Sequence, residues 1–252
     1  MIIILEINYQ KKSLQIKSIW FFEETTTDIR KSDSDIVYFH QSGIKSKFIC
    51  EKFTTLISDL ENDEEELFRK ITKNGRNEIN KSIREEIQFE VLDNNQLDEF
   101  IQFYNEFALT KGLAPCNEIT LHAYAQKDAL VITKAKFQGN DLVYHAYLMD
   151  ESRTRLLYSA SAFRNTEDKK ERAMIGRANR FLHWKDILMF KEKGMKIYDW
   201  GGYSEAEEVR AIAKFKAGFG GEIEYSYNSL LPVTLKGKLV CTMLKIKKMI
   251  KN

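Results

Sequence analysis

Residues 171–226, ERAMIGRANRFLHWKDILMFKEKGMKIYDWGGYSEAEEVRAIAKFKAGFGGEIEYS, constrain this chain more than any other stretch. A polar and basic loop, Lys169 to Arg177, leads into a helix whose apolar residues Phe181, Trp184, Ile187, Leu188 and Phe190 recur at helical spacing and form one broad face. Gly194 sits just past its last turn, a position glycine favours at helix ends. Met195 to Trp200 alternates as a strand, and Gly201-Gly202 ends it. A second helix runs around Val209 to Phe215. Gly218, Gly220 and Gly221 break it before a strand at Glu222–Tyr227.

The remaining chain can be read the same way. Residues 1–60 give strands at Ile2–Ile7, Leu14–Phe22, Ile36–His40 and Lys47–Thr54. An acidic run, Glu61 to Glu66, precedes a helix with Leu67 and Ile71 on its apolar side, capped by Asn62 or Asp63. That helix then turns basic, with Arg69, Lys70, Lys73 and Arg76 on neighbouring faces and Lys81 and Arg84 beyond. Such a stripe either holds phosphates or is a solvated face paired with Glu64–Glu66, Glu85 and Glu86. A strand at Ile87–Leu92 follows. Next come a helix at Leu97–Leu109 ended by Gly112, a helix at Glu118–Lys127 opened by Asn117, and three strands at Ala129–Gln138, Asp141–Met149 and Arg155–Phe163. Gly139-Asn140 makes a tight turn between the first two of these strands. The reading is an α/β (α+β) chain with a mixed, mostly antiparallel sheet flanked by helices and a strand-rich N-terminal extension. It divides into 1–60, 61–232 and a helical tail, 233–252.

Three segments, GRANRFLHWKDILMFKEKG, KIYDWGG and FKAGFGGEIEYS, resemble the C-terminal half of GNAT-fold acyltransferases, and more narrowly their Fem-like branch. That branch contains the aminoacyltransferases of peptidoglycan bridges and related acetyltransferases of surface-sugar pathways. FTTLISDLENDEEELFRKITKNGRNEINKS is similar to the same branch, so the resemblance spans about Phe53 to Pro232. It implies transfer of an acyl group, such as acetyl, from acyl-CoA to an amine of an amino sugar or cell-envelope precursor. The alternatives are an aminoacyl-tRNA donor, or a catalytically inactive module that binds an envelope-synthesis partner.

In GNAT folds the fourth and fifth strands splay and the donor lies in the gap, its pyrophosphate on the free N–H groups of the following helix. Mapped onto this sequence, Tyr158, Ser159, Ala160 and Ser161 line the gap, and Ile175 to Asn179 start the helix. The family's pyrophosphate motif is Arg/Gln-x-x-Gly-x-Gly/Ala. Gly176 and Ala178 match it around Arg177, but Ala173 stands at the Arg/Gln position and Arg172 is one place early. Lys169, Lys170 and Arg172 supply charge from the loop. Lys216 matches the branch's Phe-Lys pair and is expected on an anion or at an exposed helix end. Asp199 either accepts the amine proton or caps the glycine turn. His145 is either a base or a satisfied core histidine. Tyr203 and Tyr158 are candidate proton donors to the leaving group, and Trp184 and Trp200 are core.

The sequence carries no phosphate-binding GxxxxGK[ST] loop, nucleophile elbow or Cys–His pair, which leaves direct attack governed by positioning. Cys50, Cys116 and Cys241 fall in no metal or C-x-x-C spacing and read as free thiols of a reducing cytoplasm; no metal is expected. The apolar opening MIIILEI is too short for a signal or membrane span. With a formal charge of only +2, electrostatic partners must be sought in local patches. One such patch is the tail, LKGKLVCTMLKIKKMIKN, a basic amphipathic helix. It either docks on the domain or contacts the inner face of a membrane, where a lipid-linked amino-sugar acceptor would lie.

Overall fold

The computed structural model describes residues 5–23 and 33–251. In chain order its elements are β1 (Leu5–Lys11), β2 (Leu14–Trp20), β3 (Ile36–Ser42), β4 (Ile49–Asp59), α1 (Glu64–Lys70), α2 (Lys73–Arg84), β5 (Gln88–Leu92), α3 (Leu97–Lys111), α4 (Glu118–Ala125), β6 (Leu130–Phe137), β7 (Asn140–Met149), β8 (Arg153–Ser161), α5 (Lys169–Glu192), β9 (Ile197–Gly202), α6 (Arg210–Ala217), β10 (Glu222–Pro232) and α7 (Leu235–Lys251). The start of the strand expected at Ile2–Ile7 lies outside the described residues. The fold is the expected mixed α/β one, with a mostly antiparallel sheet flanked by helices.

The elements group into two compact units, Thr55–Ile223 and Met1–Thr54 with Glu224–Asn252. The division falls within the long strands β4 and β10.

In the Thr55–Ile223 unit the strand order is β4-β9-β8-β7-β6-β5, antiparallel throughout except for the β8–β9 pair. Helix α5 supplies Ile175, Ala178, Phe181, Leu182, Trp184, Ile187 and Phe190 to the core, a three-and-four spacing that keeps them on one side. One cluster centres on Trp184, Phe190, Tyr198 and Trp200, and a second on Leu142, Val143, Ile175 and Phe181. In the other unit, β1–β2 and β3–β10 pair antiparallel and β2–β3 parallel, over a small core of Ile19, Phe22, Val37 and Phe39.

Three local expectations change. The helix expected after residue 61 is two helices: Asp63 caps α1 through the Glu66 N–H at 2.7 Å, and Thr72 caps α2 through Gly75. Thr72 also donates its backbone N–H to the Gly218 carbonyl at 2.8 Å, which fixes the break. Arg69 and Lys70 thus sit on one helix and Lys73 and Arg76 on the next, and the Arg76 guanidinium closes over the Arg69 and Ile71 carbonyls. The β6–β7 turn centres on Gln138 and Gly139, both at positive φ (50° and 82°), one residue earlier than expected. The charged loop expected at Lys169–Arg177 is the first two turns of α5. Asp168 caps them, and Asp168-x-x-Glu171 is a capping signature the sequence carries.

Phe190 is fully buried and its ring lies 4.9 Å from that of Tyr147. Phe190→Ala should lower unfolding free energy by about 3–5 kcal/mol, read as a shift in denaturant midpoint.

Candidate active site

Strands β8 and β9 run parallel and paired only where Arg153, Thr154 and Arg155 face Ile197, Tyr198 and Asp199. Beyond that point each follows its other neighbour. Strand β8 stays with β7, Ser159 opposite His145 and Ser161 opposite Val143. Strand β9 stays with β4, Gly202 opposite Thr55. Both outer pairings carry a register shift, between Ala146 and Tyr147 and between Thr55 and Ile57. Such bulges bend strands. The result is a gap whose β8 side, Leu156 to Ser161, is paired to no second strand among the described residues. Gly201 fixes the mouth: its φ is +70°, and a Cβ there would lie 2.8 Å from the Leu156 carbonyl oxygen.

Asp199 stands at the last paired position. Its side chain is fully buried and turned inward. Oδ2 accepts from Arg153 Nε at 3.0 Å and Nη2 at 2.5 Å, and Oδ1 accepts from the Thr55 hydroxyl and from Gly201 N–H. Burial raises its carboxyl pKa, but the Arg153 and Arg155 charges and these hydrogen bonds outweigh it and hold the group below its ordinary value. With four donors on two oxygens, Asp199 is anchored in the protein interior. The Gly201 bond matches the expected cap of the glycine turn.

Lys216 reaches the gap from α6. Its ammonium donates to the Trp200 carbonyl at 2.7 Å and the Gly202 carbonyl at 2.8 Å. Burial, with repulsion from Arg155, brings its pKa down to about 8, against the pull of Asp199. Tyr203, just beyond β9, is half-buried beside Glu205, its hydroxyl pKa raised by burial and that carboxylate. Tyr158 turns toward α3 and the start of α4, packing edge-on against Tyr104 at 4.7 Å and accepting from Asn117 N–H. Ser159 is half-buried and Ala160 buried in β8.

The residues assigned to pyrophosphate are placed differently. Because α5 begins at Lys169, Gly176, Arg177 and Ala178 lie within the helix, where backbone N–H groups are already spent. Arg177 forms a forked pair with Glu85, which caps the end of α2, at 2.8–3.1 Å. Ala178 is in the core, and Gly176 borders open space. Arg172 folds back onto Thr166 O and Glu167. At the true helix start the Asp168 carboxylate accepts from Lys170 and Glu171 N–H, so that position already holds an anion.

His145 belongs to a buried polar chain. Its Nδ1 is 2.7 Å from Asp186 Oδ2 and its Nε2 is 2.9 Å from Asn179 Oδ1. Tyr147 donates to Asp186 Oδ2, which leaves its oxygen to accept from Tyr198; the Tyr198 oxygen then accepts from His183 Nδ1 at 2.8 Å. Burial, with nearby His145, Lys216 and Arg180, holds His183 well below its ordinary pKa, and burial keeps both tyrosines protonated. His145, His183 and Asp186 each present a ligand atom within 4.8 Å of the others, a set able to hold a cation, and Asp186 Oδ1 has no hydrogen-bond partner. A metal there would have to displace one of the two His145 bonds. Of this polar chain the sequence singles out only His145 as a candidate. The signal for the rest is three polar residues, Asn179, His183 and Asp186, on the apolar side of one helix. Two concavities, of about 220 Å³ beside Leu67 and Phe219 and about 440 Å³ between Phe68, Ile83 and Trp184, lie away from the β8–β9 gap.

This arrangement of strands and gap is a GNAT-type fold. Among solved structures, FemX matches with a TM-score of 0.62 at 11% identity, over 93% of this chain and 85% of that one. L-PGS from Bacillus licheniformis matches with a TM-score of 0.54 at 13% identity, over 94% and 88%. The C-terminal domain of a putative lysylphosphatidylglycerol synthetase from Agrobacterium fabrum gives 0.53 at 13%, over 95% and 83%. At these identities the likeness is one of fold. No protein-family model matches the sequence, nor does any curated protein sequence.

Removing one partner of a buried ion pair costs about 3–5 kcal/mol. Asp199→Asn should therefore destabilise the protein strongly at neutral pH. A carboxyl held below its ordinary pKa stabilises above the unfolded pKa and loses that stabilisation as pH falls through the folded one. The gap in unfolding free energy between Asp199→Asn and the parent should narrow as pH drops below about 4.

Proposed function

We propose that this chain is an N-acyltransferase that moves an acyl group, such as acetyl, from acyl-CoA to an amine acceptor by direct attack. The acceptor class is an amino sugar or cell-envelope precursor, free or lipid-linked. The observation that carries the reading is the unpaired edge of β8, Leu156 to Ser161, opening where β9 departs. An extended donor arm carrying amides can pair with that edge as a further strand. The acceptor nitrogen then attacks the acyl carbon, the carbon–sulfur bond breaks, and the nitrogen gives up its proton.

Lys216 is the residue we assign to that proton. Asp199, a candidate base in the sequence, has both oxygens occupied, whereas Lys216 lies at the gap with a pKa near the working range of a base. Tyr203 returns a proton to the leaving thiolate, and Asp199 and His145 act by positioning the strands. On this account kcat/KM rises as pH rises through about 8 and then levels. Lys216→Met should cost roughly 10²–10⁴-fold and lose that step. Lys216→Arg should fail to rescue; full activity in Lys216→Arg would assign the lysine to charge alone.

A second reading, an aminoacyl-tRNA donor, is favoured by one observation: the α5 start is already capped by Asp168, where a CoA pyrophosphate would otherwise sit. Calorimetry with acetyl-CoA and desulfo-CoA separates the two. Micromolar binding that tightens in Asp168→Asn, which keeps the cap but removes the charge, supports the CoA donor at the helix start. No binding at millimolar concentration, with transfer from charged tRNA, supports the second. Absence of both refutes acyl transfer.

A further inference from the structure

Helix α7 has two apolar sides, and only one is used. Gly237 packs against the start of β3, where a Cβ would run into the Asp35 carbonyl oxygen, and Cys241, one turn further on, is buried. At about 100° per residue, Leu235, Leu239, Met243 and Ile246 share an arc of roughly 80° on the opposite side. They are 84%, 60%, 60% and 53% exposed. A terminal helix docked by its apolar stripe would hide these residues; this one presents them. Lys247 borders the arc on one flank and Lys238 and Lys245 on the other, all exposed. Lys236 is held by Asp35 at 3.5 Å and is not counted. No acidic residue occurs between Leu235 and Lys251.

We propose that this face of α7 lies on an anionic lipid surface, the apolar arc entering the acyl boundary and the lysines reaching phosphate headgroups. Charge complementarity chooses this occupant. An interfacial helix combines an apolar arc with flanking cations whose long stems reach outward. A second copy of the same helix would set lysine against lysine with no acid on either side, which disfavours self-association. The inference stands apart from the acyl-transfer reading, since it needs neither donor nor acceptor.

The test is sedimentation of the full chain at low salt with phosphatidylcholine vesicles, with and without phosphatidylglycerol. Binding should be stronger by roughly tenfold or more on the anionic vesicles, and Lys238→Gln, Lys245→Gln and Lys247→Gln should each weaken it about fivefold. The double variant L239S/M243S should abolish it while keeping the unfolding midpoint, because both side chains are already mostly exposed. Failure to bind, equal binding to neutral vesicles, or undiminished binding by L239S/M243S would overturn the proposal. So would a concentration-dependent dimer in sedimentation velocity that this variant dissociates.

Discussion

Everything at the gap depends on the buried pair between Arg153 and Asp199. Three strands meet at that carboxylate: β8 through the guanidinium, β4 through the Thr55 hydroxyl, and β9 through its own chain and the Gly201 N–H. A buried carboxylate survives only where its lone pairs are filled, and here donors from several directions fill them. The pair ties β8 and β9 together at their last shared register, immediately before Gly201 takes a conformation that admits no side chain against Leu156 O. A swap of Asp199 for an apolar residue would remove the geometry along with the charge.

Behind the open edge of β8 lies a second polar construction. Ser159, on that edge strand, is paired through β7 to His145, from which bonds run to Asp186 and Asn179 of α5 and through Tyr147 and Tyr198 to His183. The chain fixes α5 against β7 and β9 at a depth where a lone polar group would cost several kcal/mol. Packing is indifferent to small rotations of a helix on a sheet; directed hydrogen bonds are not. The network thus holds the rims of the gap in one arrangement, which suits a reaction that relies on positioning.

Much of this was legible in the sequence, because period and punctuation are local. The strand at Met195–Trp200, the glycines at 194 and 201, and the apolar side of α5 could each be read from a few neighbouring residues. What depends on distant partners could not. Asp199 at a strand end resembles a base until Arg153 and Thr55 are brought to it. Lys216 resembles an exposed cation until two carbonyls and Arg155 surround it. Gly176-Arg177-Ala178 resembles a helix start because the eye follows glycine, yet Asp168 and Glu171 had already begun the helix. Tail residues Leu239 and Met243 alternate with lysine in the sequence, but only the docking of Gly237 decides which side they face.

An acyl donor that pairs as a further strand would occupy the edge of β8 where β9 leaves it. Residue-resolved amide hydrogen exchange of the full chain, with and without acetyl-CoA, measures this most directly. Strand β8 spends half its N–H groups on β7, so bound donor should slow the other half, those between Leu156 and Ser161 facing the gap. Protection that appears elsewhere while these amides exchange unchanged, in the presence of bound donor, would contradict it.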